Sequence, residues 1–250
     1  MKKTGILGGI AWPSTAEYYA GFCRLAERRH ADAGRTGPAE MPEMSIESLD
    51  LARAAALLGN DDDELSWRAF DDYHRAGLQR LERAGAAFAV IACNTAHHRL
   101  KQITRDVDIP VISILDVAAD ACLRLGVGRL LILGTETVMT SNLFRNTFRQ
   151  RGIDAFGPSY PHHVRSILST IEALEHCRID GAADRIREVV AGMPENGNPG
   201  STAVYLGCTE LPLAFEANRT EEVFERDGVR YINSTALHIR AAFDCAMEDP

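Results

Sequence analysis

Apolar residues in this chain cluster into short unbroken runs, and helical-period segments separate them. Ile6-Leu7, Ala87–Ala92, Leu130–Leu133 and Thr202–Leu206 are such runs, rich in β-branched and aromatic residues. Uninterrupted apolar runs of this length read as buried strands of parallel sheets. Between them the period changes. Pro13 to His30 reads as a helix, with Pro13 suited to its first turn. The acidic stretch Asn60–Glu64 opens another, which continues through Trp67, Phe70, Tyr73 and Leu78 to Gly85. That aromatic stripe reads as core. Ser141 to Arg151 is a further helix, and Met44–Asp50 a short strand after a Gly/Pro loop over 34–45. Pro194–Gly200 reads as a surface turn. Alternating β and α elements predict mostly parallel sheets.

The pattern occurs twice. Ile6-Leu7-Gly8-Gly9 followed by Ser14-Thr15 and Tyr18 matches Ile132-Leu133-Gly134-Thr135 followed by Thr140-Ser141 and Phe144. The run ending Ala92-Cys93-Asn94-Thr95 matches the run ending Gly207-Cys208-Thr209-Glu210. Pro110–Ile114 matches Val229–Ser234. The order is the same in both halves: Gly turn, helix, strand with Cys, helix, strand. The expected fold is α/β, with two pseudo-symmetric, mostly parallel-sheet domains. We expect the first domain to span 1–114 plus 226–250, the last piece crossing back, and the second to span 115–225.

Cysteine is the residue that the two halves share at the chemically useful place. A thiol at the carboxyl end of a central strand stands where α/β proteins build ligand sites. Two such thiols suit proton transfer at a stereocentre. One thiolate removes a proton from one face and the other thiol returns one to the opposite face; the ordinary thiol pKa of about 8.5 permits both roles. Cys93 and Cys208 are therefore the candidate catalytic pair. Asn94, Thr95 and Thr209 are candidates to hold a substrate carboxylate, together with backbone N–H groups. Gly9 allows close backbone approach, and Glu210 is a candidate cleft acid. This design requires no metal and no electron-sink cofactor.

Other readings of these residues carry less. Cys93 and His97 have a spacing that could chelate zinc, but no third ligand is apparent. A Cys–His hydrolase would leave the second matched cysteine unexplained. Gly8-Gly9 lacks the rest of a phosphate-binding fingerprint. Cys23, Cys122, Cys177 and Cys245 read as small buried hydrophobes in helical patterns.

Composition narrows the partners. The 250 residues carry a net charge of −8, which argues against nucleic acid or an anionic membrane. No apolar stretch approaches the roughly 20 residues that span a bilayer. Six cysteines without framework spacing predict a reduced, cytoplasmic protein.

The motifs Gly5-Ile6-Leu7-Gly8-Gly9-Ile10, Ala92-Cys93-Asn94-Thr95-Ala96-His97, Leu133-Gly134-Thr135 and Gly207-Cys208-Thr209-Glu210-Leu211 resemble those of the aspartate/glutamate racemase family, pyridoxal-phosphate-independent amino-acid racemases. Trp12 and Ser14–Tyr19 look closest to its aspartate and broad-specificity branch. The resemblance implies an amino-acid substrate, an active site in the cleft between two domains, a homodimer, and substrate contacts from Gly9, Asn94, Thr95, Thr135, Thr209 and Glu210. Thr140 stands where aspartate racemases of the family place a basic residue, and Leu49-Asp50-Leu51 lacks a second family arginine, with Arg53 nearby. Those departures leave the side-chain specificity open. A hydantoin or dicarboxylate isomerase, or a two-lobed binding protein, are the alternative readings.

Overall fold

The computed structural model describes residues 1–60, 62–192 and 202–248. The expected turn at Pro194–Gly200 lies outside them. The chain divides into two compact units, Met1–Ser113 with Ile239–Pro250, and Ile114–His238.

The first unit is built on a four-stranded parallel sheet of order β2-β1-β3-β4. Its strands are β1 (Thr4–Gly8), β2 (Met44–Ser48), β3 (Phe88–Ile91) and β4 (Val111–Ile112). β1 and β3 are buried along their whole length, which is why they read as unbroken apolar runs. Ile6, Phe88 and Val90 face α1 (Trp12–Asp32), through Tyr18 and Phe22. Leu7, Ala89, Ile91 and Cys93 share a cluster with α3 (Arg68–Arg83), through Phe70, Leu78 and Leu81. α3 runs antiparallel to β1. Leu81 lies over Gly5 and Gly77 over Leu7, where a Cβ on Gly77 would collide with the leucine. The short helix α2 (Leu51–Ala56) is capped by Asp50, whose carboxylate accepts from Arg53 N. The helix expected from Asn60 starts later: Glu64–Trp67 is a 3-10 turn capped by Asp63, and α3 follows it.

The second unit repeats the plan with one more strand. Its sheet has the order β6-β5-β7-β9-β8, with β5 (Arg129–Gly134), β6 (Asp154–Phe156), β7 (Thr202–Gly207), β8 (Val223–Arg226) and β9 (Val229–Asn233). β5, β6, β7 and β9 are mutually parallel, and β8 adds an antiparallel edge. Its helices include α7 (Glu136–Thr140), α8 (Asn142–Arg149), α9 (Pro161–Glu175) and α10 (Ala182–Ala191). β1, β2, β3 and β4 thus correspond to β5, β6, β7 and β9.

The expected return to the first unit at residue 226 is corrected to Ile239. β9 pairs with β7, Val204 opposite Tyr231, and its buried residues belong to the second core. The crossing lies within α11 (Ser234–Met247) instead. Ile239, Ala242, Phe243 and Ala246 cover the α1 face of the first sheet, and the Phe22 and Phe243 rings meet edge to face at 6.1 Å. The same exchange happens after β4. α6 (Ile114–Arg124) follows a strand of the first sheet, yet its Leu115, Ala118, Ala119 and Cys122 pack in the second core. Each half therefore gives its last helix to the other unit.

Candidate functional site

In the first unit the candidate residues gather at the carboxyl ends of β1 and β3. Leu7 pairs with Ile91, and Ala92 N donates to Leu7 O at 2.9 Å. One step further, Gly9 and Cys93 emerge side by side from neighbouring strands. Cys93 N turns back to Ile91 O at 2.8 Å, which ends the strand. Cys93 is then the cap of α4 (Asn94–His97), in extended conformation. α5 (Leu100–Ile103) follows directly. Asn94 is buried and Thr95 half-buried.

Gly9 has a φ of +79°, and a Cβ there would collide with the backbone of Leu49. Its N–H donates to Thr15 Oγ1 at 2.8 Å, and Thr15 Oγ1 in turn donates to Ala11 O at 3.3 Å. The N–H is therefore engaged within the turn, and the role of this glycine is steric. Thr15 was not among the expected site residues; its signal is a hydroxyl one turn into the helix after Gly-Gly.

His97 Nδ1 lies 2.8 Å from Cys93 O. A carbonyl only accepts, so Nδ1 carries the hydrogen. The imidazole closes the one-turn helix onto the cysteine backbone. Among the described residues no group of three or more His, Cys, Asp or Glu is arranged to hold a metal.

In the second unit Gly134 pairs with Gly207, so Thr135 and Cys208 leave their strands at matching levels. Thr135 caps α7. Cys208 Sγ donates to Glu210 Oε2 at 3.0 Å, and Thr209 Oγ1 donates to the same carboxylate at 3.2 Å. All three residues are buried. Ser234, absent from the sequence expectations, donates to Leu206 O at 2.6 Å and anchors the end of β7. Thr140 is exposed, and its hydroxyl donates to Glu136 O at 2.8 Å.

Each thiol thus occupies the same register position in its own unit. Cys93 follows Ala92 where Gly8 ends β1, and Cys208 follows Gly207 where Gly134 ends β5. The family model for Asp/Glu/hydantoin racemases matches residues 7–242. The chain belongs to the Asp/Glu/hydantoin racemase family. Solved structures agree in fold. An aspartate racemase homologue from Pyrococcus horikoshii OT3 superposes with a TM-score of 0.75 at 26% identity, covering 99% of this chain and 100% of that one. The Picrophilus torridus aspartate racemase gives 0.72 at 19%, covering 98% and 94%. Glutamate racemase from Campylobacter jejuni gives 0.64 at 18%, covering 99% and 87%. The α/β architecture with two mostly parallel sheets is that of these racemases.

The remaining cysteines differ from one another. Cys122 is buried, and burial pushes its thiol up to about 12, so it stays protonated and inert. Cys23 and Cys245 are half-buried. Cys177, expected in a core, is exposed in the turn after α9 with a φ of +56°. The chain leaves α9 there. No helix among the described residues is long and apolar enough to cross a membrane.

Proposed function

We propose that this racemase-family member interconverts L- and D-amino acids by direct transfer of the α-proton, with Cys93 and Cys208 as the two acid/base groups. The observation that carries the reading is the matching placement of the two thiols at the carboxyl ends of buried central strands, Cys93 two residues after β3 and Cys208 directly after β7. In one direction a thiolate takes the α-proton: the S–H bond forms, the Cα–H bond breaks, and the electron pair spreads into the substrate carboxylate. The opposite thiol gives its proton to the other face. The roles exchange for the reverse direction, so two chemically alike groups are needed.

Asn94, Thr95 and Thr209, beside the thiols in sequence, are proposed to hold the carboxylate as charge develops on it, an interaction that strengthens in the transition state. Gly9 and Thr135 leave the neighbouring strands at the level of the two cysteines and are proposed to line the same ligand. Glu210 is proposed to receive the substrate ammonium. Thr140, hydrogen-bonded to its own helix, supports a substrate range wider than aspartate. We further propose a homodimer in a reducing cytoplasm. The exposed stripe Trp12, Ala16 and Tyr19 on α1 supports the first, and six cysteines outside any disulfide support the second.

The deciding experiment is proton NMR in D₂O under reducing conditions with a panel of L- and D-amino acids. Loss of the Cα–H signal from both enantiomers of one or a few substrates is the expected result. Silence across the panel from folded protein would overturn the amino-acid reading. The family description includes hydantoins, so a 5-substituted hydantoin is the next substrate in that panel.

A further inference from the structure

The chain just downstream of Cys93 is held in place by side chains from α3 and the turn before it. α4 and α5 have four residues each, too few to persist on their own hydrogen bonds. Between them stands Arg99, buried, with its guanidinium forked onto two carboxylates. Nε and Nη2 donate to Asp71 Oδ1 and Oδ2 at 3.1 and 2.7 Å. Nη1 and Nη2 donate to Glu64 Oε2 and Oε1, both at 2.7 Å. The guanidinium carbon lies 5.5 Å from the centre of the Trp67 ring, and the same indole meets the His98 ring at 5.4 Å. Arg75, also on α3, donates to Gln102 O at 2.6 Å.

This arrangement has a direction. Asp71, on α3, and Trp67, at the end of the preceding turn, are buried. Glu64 sits on the exposed turn. Arg99 joins both to the segment that starts at Cys93. Between Arg99 and Cys93 the chain is short and internally tied: Arg99 N donates to Ala96 O at 3.0 Å, and His97 Nδ1 donates to Cys93 O at 2.8 Å. A shift at Arg99 has no slack to absorb it before the thiol and the adjacent Asn94 and Thr95. Planar bidentate pairing fixes orientation as well as distance, which a lysine ammonium does not do.

We propose that Arg99 is a positioning residue for Cys93, setting the aim of its thiol and of Asn94-Thr95 through the fork to Asp71 and Glu64. The proposal rests on the reading of Cys93 as an acid/base group. Its alkylation test, however, needs no substrate.

Four variants decide it: Arg99→Met, Arg99→Lys, Glu64→Gln, and Arg151→Met as control. Arg151 is likewise bound to two carboxylates, Asp116 and Asp120, but in the second unit. Iodoacetamide alkylation of Cys93 and Cys208 is followed by peptide mass mapping, beside kcat, KM and the primary deuterium isotope effect from each enantiomer. In Arg99→Met the alkylation rate of Cys93 changes several-fold and that of Cys208 stays put. There kcat falls about 10- to 100-fold with little change in KM, as expected when a reacting group is misaimed by a fraction of an ångström to an ångström. Arg99→Lys recovers part of the loss, and Arg151→Met lowers Tm without touching Cys93. Glu64 is exposed, so Glu64→Gln keeps the fold even if Arg99→Met does not, and it shows the Cys93-selective change in smaller measure. Folded Glu64→Gln and Arg99→Lys proteins with wild-type Cys93 alkylation and wild-type kcat would overturn the proposal. So would a parallel change of both cysteines that merely tracks Tm. A wild-type protein that racemises nothing sinks the functional reading alone, and the alkylation arm still decides whether Arg99 aims Cys93.

Discussion

Cys208 and Glu210 are joined directly: the thiol donates to a carboxylate oxygen 3.0 Å away, and both side chains are buried. The corresponding position two residues after Cys93 is Thr95, a neutral hydroxyl. The two halves therefore place different side chains two residues after their thiols, a carboxylate in one and a hydroxyl in the other. A negative carboxylate opposes negative charge on the adjacent sulfur. Glu210→Gln removes that opposition and keeps the shape. We expect Cys208 to alkylate faster in this variant while Cys93 keeps its rate, measured by peptide mapping after timed iodoacetamide exposure.

Loss of either thiol should stop racemisation. Cys93→Ala and Cys208→Ala are expected to lose turnover in both directions, because each direction needs one base and one acid. Cys→Ser at one position leaves the other thiolate able to take a proton from its own face. Such a variant should still eliminate chloride from one enantiomer of β-chloroalanine, followed as pyruvate release. An alanine variant at either position with undiminished racemase activity would overturn the two-thiol mechanism.

His74 gives the fold an acid sensitivity. It is fully buried in α3, its Nδ1 bonded to Phe70 O at 2.8 Å and its ring tilted 34° against the Phe70 ring, centroids 4.0 Å apart. Burial lowers its pKa from 6.5 to about 4. The unfolded chain takes up a proton near 6.5 and the folded one does not until about 4. Stability is thus fully present above pH 6.5 and falls as pH drops from there to about 4, by roughly 3 kcal/mol from this group. Urea midpoints at pH 7.5 and 5 should show the fall, and His74→Phe should flatten it. Equal pH slopes for the two proteins would remove His74 as the cause.

Gly9→Ala should be costly. The residue has a φ of +79°, and the new methyl would collide with the backbone of Leu49. The left-handed conformation alone costs about 1–2 kcal/mol for a non-glycine residue, and the collision adds to it. A lowered urea midpoint is expected. A midpoint equal to wild type would overturn the steric role of Gly9 in the turn after β1.

The strands and the cysteines were legible in the sequence because burial on both faces leaves an unbroken apolar signature and because the chain repeats itself. Cys93 and Cys208 align within the repeat, and the register of β1 with β3 and of β5 with β7 places them alike. Four features were not legible. The bond from Gly9 N to Thr15 depends on a turn geometry that Gly-Gly permits but does not specify. The start of α3 was misplaced because Asn60–Glu64 has helix-opening chemistry, yet Asp63 and Ser66 spend it on capping a 3-10 turn. The fork from Arg99 to Glu64 and Asp71 joins residues about 30 positions apart, and no local pattern announces it. The chain's return at Ile239 escaped because β9 and α11 read as one block, whereas the sheet takes the strand and the first core takes the helix end.

That exchanged helix bears on how the protein is made. Synthesis delivers β1 to β4 early, but the face bearing Ile6 and Val90 is covered only by α1, through Tyr18 and Phe22, until Phe243 and Ala246 have been translated. The second unit is one continuous stretch, Ile114–His238, and can close while the first is still waiting. The nascent chain therefore carries an incomplete apolar face until α11 is translated, and a chain cut before Ile239 would leave that face exposed permanently.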